Sequence, residues 1–236
     1  MKVEIWSDVM CPFCYIGKRR FESALQDFAH NGDIEVEWKS FQLNPDMVTD
    51  PGKSINEYLA EHKGWTLDYA RQANSYVTEM ASKEGLTYNM DKAVVANSFD
   101  AHRLLQLAKT VKKSDELEEA LFHAYFTEGK NIADHEVLLQ LGIDAGLPGD
   151  AVKALLDSDE FATAVDRDIY EAQQIGVRGV PYFVLNDRYA VSGAQSAETF
   201  AGALDKSWGE WRAEQTGIQE LTGDGESCAT DGSNCA

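Results

Sequence analysis

Residues 7–22 read SDVMCPFCYIGKRRFE, and the Cys11-Pro12-Phe13-Cys14 at their centre decides the reading of the chain. The segment before it, Lys2–Ser7 (KVEIWS), alternates Val3 and Ile5 with polar neighbours, the pattern of a strand. The segment after it places Tyr15, Phe21, Leu25 and Phe28 at helical spacing and runs to about His30. The two cysteines therefore sit where a strand gives way to a helix. Cys11 falls at the cap and Pro12 in the first turn, where a missing N–H costs nothing. The unpaired N–H groups and partial positive charge of that turn favour a thiolate, so a depressed Cys11 pKa is expected. Lys18, Arg19 and Arg20 are expected to add positive potential. Cys14 lies three residues on and is expected to be shielded behind an exposed Cys11. An exposed attacking sulfur backed by a resolving sulfur is the arrangement that thiol–disulfide exchange needs. Two other readings are half of a zinc site and an inert pair. The remaining cysteines, Cys228 and Cys235, lack zinc-ribbon spacing and the five histidines are scattered, so no metal site is expected.

Outward from the motif, Asn31-Gly32-Asp33 stops the helix and Ile34–Phe41 alternates again as a second strand, closed by the loop Gln42-Leu43-Asn44-Pro45. From about Ser54 to Ile175 the pattern is helical with no convincing strand, and Asp134 and Ser158 look like N-caps. Gly176–Pro181 reads as a loop. Tyr182–Leu185 and Tyr189–Ser192 read as short strands joined by a turn at Asn186-Asp187. A last amphipathic helix runs from Ser196 to about Glu214. Strand–helix–strand, a helical block, then hairpin and helix make one α/β core with an all-helical insertion. The expected division is 1–50 and 165–214 for the core, 51–164 for the insertion, and 215–236 for a Gly-, Ser- and acid-rich tail.

The charge balance, 21 Lys and Arg against 40 Asp and Glu for a net of −19, argues against nucleic acid and anionic membrane partners. No run approaches the roughly 18 apolar residues of a membrane span. The opening MKVEIWSDVM has no basic stretch followed by an apolar one, so no secretory leader is expected and a cytoplasmic location is.

The opening motif, the middle segment NSFDAHRLLQLA (97–108) and GVRGVPYFV (176–184) together resemble the thioredoxin-fold DsbA-like oxidoreductases. The likeness is to their FrnE-like branch, which is related to the 2-hydroxychromene-2-carboxylate isomerases. It covers about the first 210 residues. It implies a thioredoxin-like fold in which Pro181 is cis and faces Cys11. The Val180 backbone would then be free to pair with an extended substrate. Met10, Phe13, Val180 and Tyr182 are the candidate substrate contacts, with Tyr15 divided between that role and the helix core. Many family members carry an acid beneath the second cysteine. Here Ile5 stands at that place and Glu4 is one position off, a weak relay candidate. Phe13 stands where strongly oxidising members have histidine, which implies a less oxidising centre. Isomerase relatives have serine at the first cysteine, so Cys11 favours exchange chemistry. Asn97, His102 and Arg103 fall on an insertion helix expected near the cleft, with a structural role favoured for His102.

The expected activity is protein disulfide reduction or isomerisation on protein thiols and disulfides. The redox-active pair replaces a cofactor, and glutathione is a candidate co-substrate. Alternatives are a glutathione-dependent small-molecule isomerase or transferase, and a holdase chaperone. Cys228 and Cys235, spaced by ATDGSN, are a candidate auxiliary redox pair.

Overall fold

The computed structural model describes residues 1–215. Strand β1 (Lys2–Ser7) leads into helix α1 (Pro12–Asp27), which returns the chain to β2 (Glu35–Ser40), parallel to β1 with Ile5 opposite Trp38. A parallel neighbour needs such a crossover. Strands β5 (Tyr182–Leu185) and β6 (Tyr189–Ser192) complete an antiparallel hairpin, giving the order β2-β1-β5-β6. Asn186 and Asp187 take φ of 52° and 54°, the left-handed centre of a tight turn that the Arg188 N–H closes on the Leu185 carbonyl at 3.2 Å, with residues 186–188 between the paired Leu185 and Tyr189.

β1 is one of the two inner strands, and both its faces are covered. Val3 and Ile5 pack with Phe21 of α1, Phe183 of β5, and Phe200 and Trp208 of the last helix, α9 (Ala197–Gln215). Phe183 and Phe200 meet edge-on at 4.5 Å, a geometry aromatic quadrupoles favour. On the other face Trp6 packs with Ala172 and Val177 and donates its indole N–H to the Asp168 carbonyl at 2.9 Å.

Between β2 and β5 the chain forms β3 (Asp50–Ser54), α2 (Ile55–Lys63), α3 (Leu67–Lys83), β4 (Val94–Val95), α4 (Phe99–Thr110) and α5 (Ser114–Phe122). It continues through α6 (His135–Asp144), α7 (Gly149–Leu156) and α8 (Ala162–Gln174). Two expectations are corrected here. β3 and β4 pair antiparallel, so the block between β2 and β5 is not wholly helical. Pro51-Gly52 disguises β3 as a turn, and two-residue β4 is too short to show a period. Ser158 caps no helix: its hydroxyl accepts the Glu160 N–H at 3.3 Å in a turn, and Phe161, at φ 63°, precedes α8. Asp134 does cap α6, accepting from Glu136 and Val137.

One apolar cluster runs without a break from Cys14, Tyr15 and Ile16 of α1 into Leu104, Leu121, Phe122 and Phe126. Helix α1 is therefore held between the sheet and the inserted helices. Among the described residues no helix is long and apolar enough to cross a membrane.

Candidate active site

Cys11 stands at the N-cap of α1 with Pro12 behind it, and its backbone N–H donates to the Asp8 carbonyl at 2.8 Å. Asp8 shapes this approach. Its carboxylate accepts the Leu43 N–H at 2.8 Å and the Met10 N–H at 3.3 Å, tying the loop before Cys11 to the loop after β2. Cys11 and Cys14 are both free thiols. Their accessibility differs less than expected, since Cys11 is 4% exposed and Cys14 1%. The Cys11 sulfur is recessed because the loop carrying Val180 closes over it: the Cys11 thiol donates to the Val180 carbonyl at 3.4 Å. The Val180–Pro181 peptide bond is cis.

The basic run after the motif does not supply free positive charge. Lys18 is buried among Glu22, Asp115 and Glu119. Arg19 pairs with Glu22 and Glu119, and Arg20 with Glu84. The acidic α5, together with Glu22 of α1 and Glu84 after α3, neutralises the run, which the basic stretch alone does not reveal.

Cys14 faces the interior. Burial pushes its thiol up, and the neighbouring Cys11 sulfur pushes in the same direction. The Asp8 backbone and the Ser7 hydroxyl beside it act the other way. Ser7 in turn donates to Glu118 Oε1 at 2.7 Å. Tyr88, from the α3–β4 connection, donates to the Pro12 carbonyl at 2.7 Å. Glu118 and Tyr88 went unpredicted. The signal for Glu118 is a carboxylate on the apolar stripe of Leu117, Leu121 and Phe122 in α5.

A cleft of about 610 Å³ opens over Cys11, with Met10, Phe13, Tyr58, Trp65, Tyr69 and Val180 in its walls. Met10, Phe13 and Val180 thus come together as expected from sequence. Tyr182 does not line it; it packs on the sheet face that holds Trp6. Tyr15 is 2% exposed and stacks on Phe122 at 4.8 Å, so it belongs to the core. A more polar hollow of about 620 Å³ shares Asn74 and Met90 with the cleft but holds neither cysteine.

The remaining candidates take other positions. Glu4 pairs with Lys2 at 2.8 Å and Lys39 at 3.4 Å. Arg103 donates to the carbonyls of Leu155, Ser158 and Glu160, fastening α4 to the α7–α8 connection. Asn97 donates to the carbonyls of Pro45 and Met47. His102 Nε2 lies 3.4 Å from Asp8 Oδ1. No group of His, Cys, Asp and Glu side chains that could hold a metal ion occurs among the described residues. Cys228 and Cys235 lie outside the described residues.

Residues 2–205 match the DSBA-like thioredoxin domain. The chain belongs to that family. A crystal structure of the probable DsbA oxidoreductase SCO1869 from Streptomyces coelicolor is 38% identical. It superposes with a TM-score of 0.85, covering 98% of this chain and 97% of that one. The uncharacterized protein YwbO of Bacillus subtilis is 29% identical over 210 residues, 86% of this chain and 94% of its own. The DsbA-like fold is also shared with 2-hydroxychromene-2-carboxylate isomerase at 16% identity, with a TM-score of 0.64 and coverage of 92% and 100%. A strand-to-helix dithiol beside a Val-Pro loop is thus set in a DsbA-like frame.

Proposed function

We propose that the chain is a protein disulfide reductase or isomerase working by mixed-disulfide exchange at Cys11 and Cys14. The observation that supports this is the setting of Cys11: its sulfur lies 3.4 Å from the Val180 carbonyl, under an apolar cleft, with Cys14 sealed behind it. An extended polypeptide lying along Val180 brings its cystine over Cys11 by backbone pairing. The Cys11 thiolate attacks one substrate sulfur; that S–S bond breaks and its electron pair leaves on the other sulfur. Cys14 then attacks Cys11, releasing the substrate's second thiol and leaving Cys11–Cys14 oxidised. Release by a substrate thiol instead of Cys14 gives isomerisation. The two sulfurs hold the electrons, so the reaction needs no resident cofactor.

The cleft walls favour a polypeptide over glutathione as the main substrate. Lys63 is the one charged side chain among its lining residues, whereas glutathione carries carboxylates and an ammonium that ask for charged partners. Glutathione keeps a place as the recycling thiol. A neighbour at 16% identity is the cytosolic disulfide reductase DsbM from Pseudomonas aeruginosa, also solved with GSH. That likeness is in keeping with a cytoplasmic, reducing role, where a resting dithiol stays reduced. We assign Cys228 and Cys235 an auxiliary exchange role. Unchanged turnover in a Cys228→Ser, Cys235→Ser variant removes that part of the reading.

The test is catalysed reduction of an unfolded, cystine-bearing protein by a small dithiol. Wild type accelerates it, while Cys11→Ala and Cys14→Ala do not. Acceleration that survives Cys11→Ala contradicts the reading.

A further inference from the structure

Behind Cys14, on the side away from the cleft, a file of polar groups runs into the interior. The Ser7 hydroxyl neighbours the Cys14 thiol and acts on its ionisation, and it donates to Glu118 Oε1 at 2.7 Å. Ser7 is 2% exposed and Glu118 1%. Beyond Glu118 lies a cavity of about 10 Å³ that His102, Lys39, Ser40 and Gln106 also line. That is about the space one water occupies. His102 Nδ1 is buried and has no hydrogen-bond partner among the described residues. The core strand offers no acid of its own here, since Ile5 is apolar and Glu4 is engaged by Lys2 and Lys39. The carboxylate comes instead from α5, a helix inserted between β2 and β5.

A carboxylate sealed from water is costly, and among the described residues no Arg or Lys lies within ion-pair distance of this one: Lys18 and Lys39 pair with other carboxylates. The charged groups that face it are Lys18 from α1, Lys39 from β2, His102 from α4 and Asp115 on its own helix. Its direct side-chain contact is a hydroxyl that neighbours the resolving thiol.

We propose that Glu118 accepts the Cys14 proton, through Ser7, in the step that resolves the mixed disulfide. The inference rests on the reading of Cys11 and Cys14 as a redox pair. The Cys14 proton passes to Ser7 Oγ as the Ser7 proton passes to Glu118 Oε1, and the carboxylate becomes a carboxylic acid. The freed electron pair on Cys14 forms the bond to Cys11 Sγ. The bond between Cys11 and the substrate sulfur breaks, and its pair leaves on the substrate as a thiolate. Two electrons have then moved from the dithiol to the substrate disulfide. Glu118 returns its proton by way of the water-sized cavity, and the substrate thiolate takes one from solvent. Glu118 touches Ser7 and not sulfur, so it is a positioning and proton-holding residue.

Ellman's reagent, mixed in excess with the reduced full-length protein, separates the two steps when Cys228→Ser and Cys235→Ser are present in wild type and variants alike, leaving Cys11 and Cys14 as its only thiols. The first thionitrobenzoate is released by Cys11, the second when Cys14 resolves the adduct. In wild type the second phase should rise with pH through about 7, because burial pushes the Glu118 carboxyl up to about 7. In Glu118→Gln the first phase should be unchanged. The second should slow about tenfold or more at neutral pH, the scale of a lost proton acceptor, and lose that inflection. Glu118→Asp should recover part of the rate. Ser7→Ala should match Glu118→Gln, and serves in its place if the Gln variant does not fold. A second phase in the folded variant with wild-type rate and pH profile overturns the relay, as does equal slowing of both phases. A wild-type protein that releases one thionitrobenzoate and no second overturns the redox-pair reading itself.

Discussion

A Cβ placed on Gly17 would stand 2.9 Å from Cγ of Pro181. The first full turn of α1 after the cysteines is therefore cut to fit the loop that carries Val180 over Cys11. Phe183, the next contact at 3.5 Å, stands at ordinary van der Waals distance, so the clash falls on Pro181. Gly17→Ala gains about 1 kcal/mol of helix propensity and loses about 1–3 kcal/mol to overpacking. The expected net is a small loss of stability with a larger loss of turnover, because the strain is relieved by shifting Pro181 and the Val180 carbonyl. Urea unfolding and protein-disulfide turnover measured on the same variant check this. Turnover at the wild-type level would mean that the loop is not held by this contact.

Glu118 makes a stability prediction independent of its kinetic one. Burial raises its carboxyl from 4.5 to about 7. Between those values the native state holds a proton that the unfolded chain has released, so stability falls as pH rises through this window. The full effect is roughly 3 kcal/mol, present below about pH 4.5 and lost above about pH 7. Glu118→Gln should remove this decline, so the gap between variant and wild type widens in the variant's favour as pH rises. Chemical denaturation from pH 4.5 to 8 measures it; parallel curves for the two proteins would contradict it.

Phe13 and Trp65 are 40% and 38% exposed on the wall of the cleft over Cys11. Large apolar side chains left half in water beside a nucleophile have burial still to gain from a substrate. Phe13→Ser and Trp65→Ser should each raise KM for a cystine flanked by apolar residues about three- to tenfold, equivalent to about 1 kcal/mol. Their rates with hydroxyethyl disulfide, which is too small to reach the wall, should stay near wild type. Equal losses on both substrates would point to a disturbed sulfur pair instead.

The local geometry of the candidate site was legible in the sequence because it depends on neighbours along the chain. Cys11, Pro12 and Cys14 declare a strand-to-helix junction, and Asn186-Asp187 declares a hairpin. What the sequence hid depends on distant packing. The basic run Lys18-Arg19-Arg20 looks like free positive charge until α5 brings Glu119 and Asp115 against it. Tyr182 looks like a cleft residue because it follows Pro181, yet strand alternation turns it to the Trp6 face. Ser7 and Glu118 are separated by 111 positions, and no local period links them. β3 was hidden for a different reason: its Pro51-Gly52 carries the chemistry of a turn inside a strand.

The central claim is that Cys11 attacks and Cys14 resolves, on protein substrates. The most direct measurement is trapping with Cys14→Ala, which removes the resolving sulfur and strands the mixed disulfide on Cys11. The variant is recovered from a lysate and its adducts are read by mass spectrometry, with Cys11→Ala as control. Adducts to many proteins through Cys11, absent from the control, are the predicted result. Glutathione alone on Cys11, or the same proteins on the control, would contradict it.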